Sequence, residues 1–427
     1  MTLVWPDAPG DSLTIRGARV IDPSNGLDGA FDVTVEDGII VAIDPAVESA
    51  RGLVLAPAFV DPHVHLRVPG REDEETIASG TAAAARGGYC AILAMPNTDP
   101  VVDSAAVLGA LIEQAREDAV IPTGFMATIS KGLEGQELTE MAELARLGAV
   151  AFTDDGHPVV SAGLMQRALQ YSAVTGRLLA LHEEEPTLSR DGQMHDGAVS
   201  AELGLAGWPS VAEAVMIGRD CDLAAYEQRP LHIMHLSARE SVAAVRAAQA
   251  RGVAVSAEVS PHHLCLTDDT VRTLDTNRKM NPPLRSEDDR QALLDGLRDG
   301  TIACIATDHA PHARHEKDAP FEEAPFGVTG LETAFAAIYT HLVEPGELDL
   351  RLVLERMSAG PARIFGLPVP RIELGESANL VLLDLDATWT VTEGGFASKS
   401  VNSWLLGETL TGTVVKTIAD GRVVYAA

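Results

Sequence analysis

The chain has no apolar run approaching the ~20 residues needed to cross a bilayer, which argues against a membrane-spanning protein. Its opening, "MTLVWPDAPGD", lacks a basic stretch followed by an apolar core, so no secretory signal is expected. Cysteine is scarce. Cys90, Cys221, Cys265 and Cys304 show no paired spacing, and three of them lie in apolar, strand-like stretches. That argues against a disulfide framework and fits buried, reduced thiols in a cytoplasmic protein. Basic residues are outnumbered, 32 against 62 acids, for a formal charge of −30. Such a surface repels nucleic acid and anionic membranes, and if the substrate is an anion, the site must supply its own positive charge. Short repeats and low-complexity tracts are also missing. What remains is globular composition, 46% hydrophobic and 22% charged over 427 residues, long enough for one large domain and a smaller one.

Eight apolar, β-rich runs follow one another along the middle of the chain. They are "LVLAPAFV" (53–60), "YCAILAM" (89–95), "IPTGFMATI" (121–129), "AVAFTD" (149–154), "LLALH" (178–182), "LHIMH" (231–235), "VAVSAEV" (253–259) and "IACIATD" (302–308). Most of the gaps carry helical pattern, such as "ALIEQARED" and "ESVAAVRAAQARG". Buried strands alternating with helices imply a parallel sheet, and eight such units imply a (β/α)8 TIM barrel. Continuously apolar strands fit a sheet covered on both faces.

The ends read differently. Residues 11–52 and 371–427 hold short alternating runs, such as "FDVTVEDGIIVAI" and "LTGTVVKTIADGRVVYA", broken by turn signals. Because the barrel lies between them, the two ends are expected to meet in one small composite β-sandwich. The expected division is 1–53 and 368–427 for the sandwich and 54–367 for the catalytic barrel.

The stretch "FVDPHVHLRVPG" places Asp61, His63, His65 and Arg67 at every second position. Residues two apart in a strand face one side, so all four point one way if the chain stays extended. They stand at the C-terminal end of the first strand, the end that carries chemistry in such barrels. Two imidazoles about 6–7 Å apart along a strand can reach one metal ion, and neutral imidazole suits zinc. Alone, the motif is equally compatible with two buried, satisfied histidines. The other strand ends decide between these readings. Strand four ends in "FTDDGH", five in "LALHEE", six in "HIMHLS" and eight in "IATDHAPH". They deliver Asp154 or Asp155, His182, His235 and Asp308. Four histidines and two carboxylates exceed one tetrahedral zinc and suit two metal ions bridged by a carboxylate and a hydroxide.

The pieces "DPHVHLR", "AMPNTDP", "FTDDG", "LHEE", "HLS", "MNPPLR" and "TDHAPH...PFGVTGLET" together resemble the amidohydrolase superfamily, and more closely its bacterial class I dihydroorotases. The resemblance spans almost the whole barrel in family order. Many superfamily relatives bridge their metals with a carboxylated lysine at the end of strand four. The five lysines here, Lys131, Lys279, Lys317, Lys399 and Lys416, all lie elsewhere. Asp155 stands 90 residues after His65, close to where that lysine falls, and class I dihydroorotases use an aspartate there. The resemblance therefore implies Asp155 as the bridging ligand and Asp154 as a residue that orients the turn.

By the same resemblance, the reaction is the reversible cyclisation of N-carbamoyl-L-aspartate to L-dihydroorotate plus water, with two zinc ions per subunit. Metal coordination lowers the pKa of bound water from 15.7 toward ~7. Asp308, beside a metal, can pass a proton between that water and the leaving nitrogen. Arg67 offers a planar fork for a substrate carboxylate, against the plainer alternative of a surface ion pair with Glu72 or Asp73. The resemblance adds His65, Asn97, Asn281, His312, Phe326 and Gly327 as substrate contacts. Asp61 is expected to support a histidine from behind. His232 is expected on the face opposite His235, and His262 and His263 in supporting roles. Residues 310–327 are polar and expected to form a mobile lid, or else a surface loop. A homodimer in the cytoplasm is implied, with association with aspartate transcarbamoylase open. The competing readings are a hydantoinase or allantoinase, and a non-catalytic scaffold for aspartate transcarbamoylase.

Overall fold

The computed structural model describes residues 3–46 and 52–427. Residues 1, 2 and 47–51, part of the expected segment 1–53, lie outside the described residues. The middle of the chain forms eight short parallel strands; seven fall within their apolar runs, and the first begins at the end of its run and extends past it to Val64. Strands one to three are Phe59–Val64, Tyr89–Ala94 and Thr123–Phe125. Strands four to eight are Ala151–Phe152, Leu178–Leu181, Leu231–Ile233, Val255–Val259 and Cys304–Ile305. The first three pair as one sheet and the last five as another. Parallel bridges Ala127–Phe152 and Val64–His309 join the two sheets and close the barrel.

Strand residues are buried on both faces, which is why they read as unbroken apolar runs. The helices between them begin and end on local chemistry. Thr76 and Ser79 cap the start of Ile77–Arg86 reciprocally. Ser286 and Asp289 do the same for Glu287–Asp299. Gly176 stops Ala162–Thr175 in the left-handed conformation that glycine adopts without strain.

The two chain ends build a single seven-stranded sheet. Its order is Arg422–Ala426, Thr409–Ala419, Leu380–Thr390, Leu53–Pro57, Leu13–Asp22, Leu27–Glu36, Ile39–Pro45. Inward residues from both ends, among them Val20, Val33, Ile40, Leu55, Leu380 and Ile418, close one separate core, the composite sandwich read from the termini. One run divides differently from expectation. "LVLAPAFV" is two strands, because Leu53–Pro57 pairs with both Leu13–Asp22 and Leu380–Thr390 while the barrel begins at Phe59. A continuous apolar run carries no mark of where it passes from one sheet to the next. The C-terminal segment also reaches the barrel mouth. Asn402 accepts from the His312 backbone N–H and donates to the carbonyl oxygens of Ala310 and Gly327.

Candidate metal centre

The mouth of the barrel gathers all six donors read from the strand ends. Asp155 stands between the histidines. Its Oδ1 lies 3.6 Å from His235 Nε2 and 3.8 Å from both His63 Nε2 and His182 Nδ1. Its Oδ2 lies 3.6 Å from His65 Nε2. Asp308 Oδ1 is 3.2 Å from His65 Nε2 and 3.4 Å from His63 Nε2. Two triads with mutually close ligand atoms result, His63–Asp155–His235 and His63–His65–Asp308. The backbone is bent to make them. His235 and Asp308 have φ of 31° and 49°, in the left-handed region that costs a non-glycine residue roughly 1–3 kcal/mol. Each follows its strand within three residues, so the strained turn aims the side chain into the mouth.

Supporting contacts fix which ring nitrogen faces inward. His63 Nδ1 lies 2.7 Å from Glu258 Oε1. A carboxylate can only accept, so Nδ1 carries the proton and Nε2 keeps its lone pair. That Nε2 is buried and has no hydrogen-bond partner. His65 gives Nδ1–H to Asn97 Oδ1 at 2.9 Å, and His182 gives Nε2–H to Glu184 Oε2 at 3.1 Å. His182 Nδ1 then stands 2.9 Å from His235 Nε2. Lone pairs converging on carboxylate oxygens repel unless a cation or proton lies among them. This donor set, imidazole nitrogen and carboxylate oxygen only, fits divalent metal ions. When a proton rather than a metal ion lies among the donors, the His63 ring is charged; burial alone would raise Asp155 and Asp308, but that charge and bonds from neighbouring imidazoles outweigh it and hold both below the ordinary aspartate range.

Asp154 faces away from this cluster. Its carboxylate accepts from the Ile129 and Ser130 backbone N–H groups and from the Ser130 hydroxyl. Asp61 serves differently from expectation. It accepts from the His63 backbone N–H at 3.1 Å and from Thr307 Oγ1 at 2.5 Å, tying strand one to the segment that follows strand eight rather than supporting an imidazole. The imidazole support comes from Glu258, which the sequence reading passed over. Its second oxygen takes His232 Nε2–H at 3.0 Å, and the two histidines hold it down to about 2 against the upward push of burial. A lone acid inside the apolar strand "VAVSAEV" was the available signal, since a buried carboxylate requires partners. His232 thus points into the barrel, away from the metal donors. His263 bonds Ser260 Oγ and the Pro282 carbonyl, a structural role.

The remaining expected contacts form a wall beside the donors. Arg67 does not continue the period-two pattern, because strand one ends at Val64 and Arg67 has φ 60°. Its guanidinium is buried. Nε lies 2.9 Å from Glu74 Oε2 and 3.0 Å from the Pro311 carbonyl, and Nη2 lies 3.4 Å from His312 Nε2. Neither Glu72 nor Asp73 pairs with it among the described residues. His312 Nε2 also donates to the Phe326 carbonyl at 2.8 Å. Asn281 Oδ1 is buried without a partner. Phe326 meets Trp208 edge to face. Gly327 has φ 113°, and a Cβ there would stand 2.6 Å from Ala310 Cβ. Asn97 is drawn into the donors instead: beside His65, its amide donates to Asp155 Oδ2 at 3.0 Å. The segment 310–327, expected to be mobile, is packed, with His312, Lys317, Phe321 and Ala324 buried.

An eight-stranded parallel barrel, a sandwich from both chain ends and an imidazole–carboxylate cluster at the strand ends define a metal-dependent cyclic amidohydrolase. An L-hydantoinase (dihydropyrimidinase) from Arthrobacter aurescens superposes with a TM-score of 0.85 at 25% identity, over 97% of this chain and 96% of that one. A family model described as Dihydro-orotase-like matches residues 52–241. The dihydroorotase of Trichlorobacter lovleyi is 44% identical over 97% of this chain and 99% of its own length. That of Anaeromyxobacter dehalogenans is 45% identical over 97% and 98%. The chain belongs to the dihydroorotase family.

Proposed function

We propose that the chain interconverts N-carbamoyl-L-aspartate and L-dihydroorotate in pyrimidine biosynthesis, with Asp308 as general acid–base. The observation that carries this reading is the convergence of Asp308 and Asp155 on four imidazoles at the barrel mouth. The six donors, His63, His65, Asp155, His182, His235 and Asp308, would hold two zinc ions, with Asp155 shared between them. Zinc rather than manganese or cobalt follows the family resemblance, since these ligands accept all three. When bound, the ions lower the pKa of water and polarise the ring carbonyl.

In hydrolysis, water adds to the ring carbonyl and the carbon–nitrogen bond opens. Asp308 takes the proton that water gives up and returns it to the departing ring nitrogen. In ring closure the ureido nitrogen gives its proton to Asp308, which passes it to the carboxylate oxygen; with a second proton taken up from solvent, that oxygen leaves as water. Arg67 and His312 bind the substrate carboxylate, so a strongly acidic chain receives an anion through a local patch of donors. Asn281, Phe326 and Gly327 face the ring. Asn97 orients His65 and Asp155, a role its amide contacts favour over direct substrate binding. The division into sandwich and barrel falls between Pro57 and Phe59 in this reading. A cytoplasmic homodimer completes the proposal on resemblance alone.

A hydantoinase is the second reading, favoured by the superposition above. The strand-four aspartate and the higher identity to dihydroorotases weigh against it. The test is turnover of dihydroorotate, hydantoin and allantoin beside metal stoichiometry. Two metal ions per chain with dihydroorotate turnover are expected; turnover of hydantoin alone overturns the proposal. An empty site that zinc does not activate would instead favour a scaffold.

A further inference from the structure

Lysine is rare in this chain, and two of its five lysines, Lys279 and Lys317, are buried at 2% and 7% exposure. Lysine is among the residues least often buried without a charged partner. Neither of these forms a salt bridge among the described residues. Both ammonium groups bond backbone carbonyls instead. Lys279 Nζ donates to the carbonyls of Phe321 at 2.7 Å and Glu322 at 3.1 Å. It also stands 4.7 Å from the centre of the Phe326 ring. Lys317 Nζ donates to the carbonyls of Thr276 at 2.9 Å and Pro325 at 2.8 Å.

The two side chains run in opposite senses. Lys279 leaves segment 275–281 and ties down segment 317–327. Lys317 leaves the second segment and ties down the first. Two further bonds repeat the crossing: Thr276 Oγ1 donates to the Lys317 carbonyl at 2.7 Å, and Gly327 N–H donates to the Lys279 carbonyl at 2.8 Å. The braced segments carry Asn281 on one side and Phe326 and Gly327 on the other, and His312 is bonded to the Phe326 carbonyl. An apolar pair could fill the same volume without the cost of burying two ammonium groups. That cost shows. Burial, with the charge of Lys279 added, pushes Lys317 down to about 7, and burial pushes Lys279 down to about 8. Carbonyl bonds add direction that apolar packing lacks, fixing the two backbones against each other along defined vectors.

We propose that Lys279 and Lys317 are positioning residues for substrate binding, a pair of crossed latches that set the Asn281 segment and the His312–Gly327 segment as one wall before substrate arrives. The inference rests on the reading above that this wall faces the substrate. Its energetic logic is pre-organisation: a wall ordered in advance removes an ordering cost from the binding step. The latches touch neither metal donors nor Asp308, so their loss acts on binding and not on the chemical step.

Lys279→Met and Lys317→Met, assayed separately as full-length holoenzyme, are each expected to raise KM for dihydroorotate about tenfold, as for loss of a charge-assisted hydrogen bond. The value of kcat and the metal content should stay near wild type. Hydrogen exchange of the amides in 275–281 and 313–327 should quicken. Lys317→Arg, which keeps the charge and the donors, should recover most of the KM. Unchanged KM despite faster exchange, or unchanged exchange, overturns the latch. So does a parallel fall in kcat, metal content and melting temperature at constant KM. Should the methionine variants not fold, the wild-type enzyme still decides. Both segments are expected to be protected from exchange without ligand, and protection that appears only on adding dihydroorotate overturns the proposal. His312→Ala tests the underlying reading separately: unchanged KM there removes the substrate wall, whereas the exchange measurements report on the latch alone.

Discussion

The floor of the site and its wall are built by different means. The floor is made of strand ends. His63, His182, His235 and Asp308 each lie in, or within three residues of, a barrel strand, and buried carboxylates such as Glu258 fix the rings from behind. The wall is made of loops. Its residues are held by backbone carbonyls, by two buried lysines and by Asn402 from the far end of the chain. A metal site tolerates only small errors in donor position, and hydrogen-bonded strands set side chains on a fixed lattice. A wall that recognises a ring and a carboxylate needs shape and directed donors, which loops supply once they are braced.

If the floor performs the chemistry and the wall the recognition, substitutions in each should separate kcat and metal affinity from KM. The largest effect belongs to Asp308→Ala, expected to lower kcat by about 10²–10⁴-fold with the far-ultraviolet circular dichroism unchanged. Near-normal turnover in that variant refutes the proton-transfer role. Glu258→Gln removes the charge that orients His63 and is expected to weaken metal binding by about 10–100-fold, measured by competition against a chelator. Wild-type affinity there would reduce Glu258 to a packing residue. On the wall, Arg67→Ala is expected to raise KM roughly tenfold or more with kcat little changed; an unchanged KM counts against the carboxylate contact. The smallest effect should come from Asp154→Ala. Three donors lose their acceptor, for about 1–3 kcal/mol of stability, while metal content and kcat hold. Loss of metal in that variant, and not in Asp155→Ala, would exchange the two aspartates.

The two regions were not equally visible beforehand. Donors at strand ends announce themselves, because an apolar run that stops at His or Asp marks both the strand and its exit. Five donors were read this way, the sixth, Asp155, was chosen over Asp154 by the family resemblance, and the six side chains lie together at the barrel mouth. Glu258 was visible only as an anomaly, an acid within an apolar run, and its partner lies 195 residues away. Arg67 was read as one more member of the period-two row. The row ends at the strand, and a left-handed turn sends Arg67 to Glu74 and Pro311 instead. Asp61 has the right spacing, yet its carboxylate is taken by Thr307. Period two is a property of extended backbone and carries no information past the strand's last residue.

The sequence by itself determined the architecture and the residue types gathered at the floor. Both are written in local pattern: apolar runs of strand length, helical intervals between them, and ligand residue types at the ends. Tertiary structure alone decided how the wall is held. Lys279 and Lys317 look like ordinary surface lysines in the one-dimensional record. They become braces only because closing the barrel brings segments 275–281 and 317–327 together, where each ammonium group finds two carbonyl oxygens. Spacing along a chain encodes faces of strands and helices, whereas the partner of a buried charge is chosen by whatever the fold brings within ~3 Å of it.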